Sequence, residues 1–284
     1  MTTPSSVSLT PARAAPATTA SKWRTIYTRA VADKTVLVSV LAFYGLAMAV
    51  GVGALWPPLQ ETFAAIAGKF PAAFDALLGG LSIATPAGWM HAELMSLMGP
   101  GFLIAMAMMS AVSATAGEEQ DRTLGLVLST GVTRTTFLAA KAAAMVTHVL
   151  IVAAALFVGM LIAGRVGGLG IPVLDSLAAT VNMILIALVY GAITLTLGAI
   201  TADRRLTLSI TGALLGVSFI AASFLGLVDS LVWLSKINFW YPYMASPALA
   251  EGLDWGNAAI MAGLAVGIGA IAFTIFPRRK DLRG

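Results

Sequence analysis

Apolar runs alternate with short polar stretches along almost the whole chain. Six runs stand out: Thr35–Leu55, Leu94–Ala116, Ala142–Ala163, Leu174–Ile200, Leu206–Val228 and Asn257–Phe276. Each holds about 20 residues or more, enough at 1.5 Å per residue to cross a hydrocarbon core of about 30 Å. Charges stay at their edges, where Asp175 begins the fourth. A charge at mid-membrane costs about 2.5–3.5 kcal/mol, so this spacing suits membrane-spanning helices. The pattern predicts an all-α polytopic membrane protein with six transmembrane helices over 35–276.

Two segments precede the first run. Residues 1–20 are mostly Ser, Thr, Ala and Pro with no apolar run, so they are no signal peptide and are expected to form a disordered tail. In Ser21–Lys34, Trp23, Ile26, Tyr27, Ala30 and Val31 share one helical face, and Lys22, Arg24, Thr25 and Arg29 lie elsewhere. A basic amphipathic helix with an aromatic on its apolar face is expected to lie in the membrane interface; the other reading makes it an extension of the first span. Residues 277–284 form a basic tail.

Composition agrees: 58% of the 284 residues are hydrophobic and only 11% charged. With no cysteine, disulfides, iron–sulfur ligation and thiol catalysis are excluded, and two histidines are too few for an imidazole-rich metal site. The net charge of +4 does not imply nucleic acid, because the basic residues are scattered at the ends of apolar runs. With the N-terminus inside, fourteen of the seventeen basic residues fall on the cytoplasmic side and only Lys69, Arg165 and Lys236 outside. That bias predicts cytoplasmic termini. Trp56, Trp89, Trp233, Trp240 and Trp255 then sit at outer ends and Trp23 at the inner one, as aromatic belts require. Of two long outer segments, Trp56–Glu93 contains the helix-like "FPAAFDALLGG". Asp229–Gly256 reads as interfacial helices broken by a turn, with Ser246 a candidate cap and Pro247 at the first helical position.

One polar stretch differs from the rest. "GEEQDRTLGLVLSTGVTR", Gly117–Arg134, has five charges in eighteen residues and lies between spans two and three. Glu118, Glu119 and Asp121 crowd its start, where negative charge complements a helix dipole. Leu124, Val127 and Leu128 make an i, i+3, i+4 apolar face, Gly131 is placed as a stop, and Thr133 as the cap of the next helix. Such a helix is either a docking surface for another protein or a solvated loop whose leucines rest on lipid headgroups.

The stretch resembles the first cytoplasmic loop of ATP-binding-cassette exporter permeases of the type-two class, which often reads close to "GEEERGTLELLLSTPVSR". It matches at Gly117, Glu118, Glu119, Thr123, Leu124, Leu126, Leu128, Ser129, Thr130, Val132 and Arg134. Its departures include Arg122, Gly125, Gly131 and Thr133; with Gly125 in place of an acid, no salt bridge to an ATPase is implied there. The resemblance extends to the amphipathic first helix, the six spans, a first outer loop ending near "TPAGWMHAEL" and the broken outer segment before span six. It also resembles actinobacterial polyketide-antibiotic and multidrug exporter permeases. It implies that the loop is a coupling helix on a separate ATPase subunit, with Glu118, Glu119, Asp121, Arg122, Thr123, Leu124, Val127, Leu128 and Arg134 at the contact. It also implies two ATPase copies, which hold ATP and Mg, and a second permease chain in a homo- or heterodimer in a bacterial cell membrane. This chain is expected to hold no cofactor and to be no enzyme. It has no G-x-x-x-x-G-K-[ST]; the nearest sequence, "AGKF" at Ala67–Phe70, lacks the first glycine and the hydroxyl.

In such permeases spans two and five line the substrate path. Met95, Met98, Phe102, Ala105, Met106 and Met109 lie roughly along one face of span two, and methionine surfaces adapt to varied apolar shapes. They are a candidate face for a hydrophobic substrate, with ordinary packing or lipid contact the alternative. Gly99, Pro100 and Gly101 predict a kink. His148, Asn182 and Tyr190 are expected to hydrogen-bond between helices. His91 and Glu93 lack a third ligand, so no metal site is expected. A secondary transporter would need more mid-membrane ionisable groups than His148, and a membrane enzyme would need paired carboxylates, a metal set or a nucleophile with its base. A permease for cell-envelope or cofactor-enzyme assembly fits the sequence as well as efflux does.

Overall fold

The computed structural model describes residues 18–66, 69, 81–120, 125, 127, 129–245 and 247–278, apart from the side chains of Glu119 and Asp229. The expectations for the tail up to residue 17, for most of "FPAAFDALLGG", for Ser246 and for the basic residues after 278 lie outside the described residues.

Six helices are long and apolar enough to cross a membrane: Thr35–Ile66, Pro86–Gly117, Arg134–Val166, Val173–Thr201, Arg204–Leu227 and Trp255–Arg278, spans one to six. Among the described residues there is no strand. The spans outrun the apolar runs because polar caps set their ends. Thr133 accepts a hydrogen bond from Thr136 N, Asp203 from Leu206 N, Asp254 from Gly256 and Asn257 N, and Thr85 from Gly88 N. Each side-chain oxygen satisfies a backbone N–H that the first helical turn leaves unpaired. Span one continues past Leu55, through Pro57 and Pro58.

Span two is interrupted, but not at Pro100. Its first piece, Pro86–Met95, closes in a π-turn over His91–Met95, and a new helix begins at Met98 after a break at Leu97 (φ −146°). Pro100 therefore stands in the first turn of that helix, where its missing N–H costs little. A second π-turn, Ser113–Gly117, ends the span.

Span four is the hub. It packs against spans two, three, five and six and is buried nearly all round. Spans five and six turn broad apolar faces outward, including Ile210, Val217, Ile220, Ile260 and Val266, as a lipid-facing surface requires. Spans one and three share a long, close contact. A Cβ on Gly53 would stand 2.5 Å from Ala163 Cβ, and one on Gly159 would stand 2.8 Å from Leu46 O. Lipid tails are as apolar as the side chains, so contacts of this kind, through small residues, hold membrane helices together.

The N-terminal helix, Thr19–Ala32, lies along span three. The apolar face expected to meet lipid is partly covered by protein: Ala30 is buried, Trp23, Ile26, Tyr27 and Val31 are half-buried, and Tyr27 Oη lies 2.9 Å from Thr147 Oγ1. Arg24, Thr25 and Arg29 remain exposed.

At the opposite end, short helical pieces between Leu225 and Glu251 cap the bundle. Here the tryptophans depart from a simple belt. Trp233 and Trp255 are 61% and 79% exposed, but Trp240 is wholly buried against Tyr190, Phe219 and Tyr243, and Trp89 donates to Val52 O at 2.9 Å. Tyr243 donates to Met95 O and its own carbonyl accepts from Asn182. Pro247 precedes the last short helix, Ala248–Glu251, as its cap residue rather than opening it.

Gly53→Ala is expected to destabilise the protein by about 1–3 kcal/mol, through overpacking against span three. Gly51, on the same helix, has nothing within 4 Å of its Cβ position, so Gly51→Ala is expected to be neutral or stabilising by up to about 1 kcal/mol. Thermal unfolding of both variants in detergent checks the contrast.

Candidate docking segment and the cavity behind it

The first loop leaves span two through the π-turn and enters a helical turn, Glu118–Gln120. Gly125, Val127 and Ser129 are also helical. The helix stops where the sequence places the stop. Gly131 takes φ +75°, a conformation that disfavours any residue with a Cβ, and two residues on Thr133 caps span three.

Three cations tie this loop to the bundle. Lys22, on the N-terminal helix, donates to Thr130 O at 2.9 Å and Gly131 O at 3.3 Å, where the end of a short helix is electron-rich. Lys141, two turns into span three, pairs with Glu118 at 2.6 Å. It also stands 5.7 Å above the Phe137 ring. Arg134 donates to Phe276 O at 3.4 Å, joining the loop's exit to the end of span six, and Phe137 stacks on Phe276 beside it. The loop thus has fixed attachments at both ends.

Of the residues expected to meet a partner, Glu118 is largely buried and spent on Lys141, and Arg134 is half-buried. Val127 is also half-buried and packs inward on the bundle's core. Glu119 lies on the helical turn. Asp121, Arg122, Thr123, Leu124 and Leu128 lie outside the described residues.

Behind the loop is a half-open cavity of about 480 Å³, between the N-terminal helix, spans two and three and the start of span five. At its wall His148 bridges three elements: Nδ1 lies 2.9 Å from Ser110 Oγ on span two and Nε2 lies 3.3 Å from Val31 O on the N-terminal helix. A carbonyl can only accept, so Nε2 carries a proton; in the neutral ring Nδ1 then accepts from the Ser110 hydroxyl. The sequence marks His148 as a residue that hydrogen-bonds between helices, but not its partners, which stand 38 and 117 positions away.

The methionine face of span two divides. Met95 and Met106 are buried in the bundle, Met106 completely. Met98, Phe102, Ala105 and Met109 follow one outer stripe, with Met98 48% exposed and Phe102 against Tyr44. Among the described residues no group of His, Cys, Asp or Glu could hold a metal ion.

A double-mutant cycle over Glu118→Gln and Lys141→Met is expected to give a coupling of about 1–3 kcal/mol, the range for a largely buried pair. Lys141→Met alone, which removes the counter-ion of a largely buried carboxylate, is expected to be the more harmful single change. Unfolding midpoints of the four proteins measure it.

The family model described as ABC-2 family transporter protein matches residues 77–253, more than half of the chain. No curated protein and no solved structure matches it significantly. The matched region takes in spans two to five, the tethered loop and the short helices that cap the opposite end of the bundle. The chain therefore belongs to the ABC-2 family of transporter proteins.

Proposed function

We propose that this chain is the membrane-spanning subunit of an ABC exporter, moving a hydrophobic substrate such as a drug, an antibiotic or a lipid-like molecule out of a bacterial cell. A separate ATPase hydrolyses the ATP. The complex is two permease chains, identical or not, with two ATPases that hold ATP and Mg, in the plasma membrane. The distribution of basic residues supports termini in the cytoplasm.

The observation that carries this reading is the tethering of the first loop. A segment that passes force must be stiff at its attachments and open to a partner between them. Glu118 and Lys141 fix the start, and Lys22 and Arg134 fix the exit. Displacement of the loop by an ATPase would reach span two through the Ser113–Gly117 turn and span three through Lys141. The turn rests on span four, where Gly198 leaves the space that Thr115 occupies. The outer stripe of Met98, Phe102 and Met109 would form part of the substrate path once the second permease chain encloses it.

Two measurements test the proposal. Tagged protein purified from its host in mild detergent is expected to bring down ATP hydrolysis, which Leu124→Asp with Leu128→Asp abolishes. A folded chain with no ATPase activity in the eluate would point instead to a partner-independent transporter. In the assembled complex, Met98→Ala with Met109→Ala is expected to lower substrate-stimulated ATPase at least about threefold, as loss of apolar contact would. An unchanged response would remove that stripe from the path.

A further inference from the structure

The cavity behind the loop has two unlike halves. Its walls include Ile26, Ala30, Phe137, Ala144 and Met145, all apolar. Its charged groups are Arg29, Asp33 and Lys34 at the end of the N-terminal helix, Glu118, Lys141 and Arg204 at the start of span five. Glu118 and Lys141 neutralise one another at 2.6 Å. Among the other described lining residues, Arg29 and Arg204 bring positive charge to the rim from two separate elements. Arg29 and Arg204 are exposed. The imidazole of His148 and the Ser110 hydroxyl already satisfy each other, so the wall sets no further polar demand.

An apolar recess with a cationic rim suits a ligand with an apolar tail and an anionic head. The volume, about 480 Å³, lies in the range of sites that enclose small ligands. We infer that this cavity binds the phosphate headgroup and upper acyl chain of an anionic phospholipid from the cytoplasmic leaflet. Arg29 and Arg204 hold the phosphate, and the wall of Phe137 and Met145 receives the chain. The lipid would then join the N-terminal helix to span five beside the tethered loop, which no side-chain contact described above does. The leaflet assignment rests on the orientation given under the proposed function; the site itself does not require the ATPase partner.

Native mass spectrometry of the full-length chain in mild detergent tests this, with phosphatidylglycerol and phosphatidylcholine of identical acyl chains as probes. Phosphatidylglycerol is expected to bind more tightly than phosphatidylcholine. Each arginine near a phosphate contributes about fivefold, so Arg29→Gln with Arg204→Gln is expected to weaken phosphatidylglycerol binding about 25-fold. Both side chains are exposed, which leaves the packing intact. Arg165→Gln with Lys236→Gln removes two exposed charges at the other end and is expected to change nothing. Equal binding by the Arg29/Arg204 variant and the unaltered chain, or equal binding of the two lipids, would overturn the inference. Displacement of the lipid by millimolar inorganic phosphate would also overturn it, because the apolar wall would then contribute nothing. So would loss of the lipid when the ATPase joins, because the partner would then fill the cavity. ATPase co-purification is scored separately, so this site and the exporter reading can fail independently.

Discussion

Spans one and three are held together by the absence of side chain. At Gly53 and Ala163, and again at Gly159 and Ala49, backbones approach until no methyl group fits between them. In lipid there is little hydrophobic gain in bringing two apolar helices together, so dispersion across such close contacts has to supply it. Much of the bundle depends on where this contact places span three. Span three carries Lys141, Thr147 and His148, which reach the first loop, the N-terminal helix and span two in turn. A shift of span three would loosen all three attachments together.

The same rule extends through the hub. Span four meets span two at Gly191, facing Ala107, and at Gly198, facing Thr115. Two polar groups of span four join it to other elements: Thr196 donates to Ile268 O and Asn182 to Tyr243 O. With no water in the hydrocarbon core, such groups either pair within the protein or cost several kcal/mol. Small-residue contacts set the distances between helices, and these hydrogen bonds set their rotation.

The fold was legible in the sequence to the extent that its causes are local. Apolar length marked the six spans, and the Gly131 stop and Thr133 cap stand where turn and cap chemistry put them. What was not legible depends on neighbours distant in the chain. Trp240 reads as a belt residue, yet Tyr190 and Phe219 enclose it. Met95, Met98 and Met106 look alike along one face, and only the packing of span four and the short capping helices separates buried from exposed. Val127 has the spacing of an outward face with Leu124 and Leu128, but it turns toward the bundle. Lys22 and Lys141 read as membrane-edge charges; that both hold the loop follows from the N-terminal helix lying along span three.

The two π-turns of span two have a consequence for how this helix tolerates change in length. A π-turn accommodates one residue more than an α-turn, and one residue in an α-helix is about 100° of rotation. Loss of a single residue within Ser113–Gly117 would let the helix close as regular α, leaving Met98–Val112 undisturbed and keeping Glu118 close to its present angular phase, facing Lys141. Loss of a residue from the regular helix Met98–Val112 would instead turn everything beyond it by about 100°. The wide turn is therefore the one place in the later part of this span where a residue can be lost without re-aiming the loop or repacking the bundle.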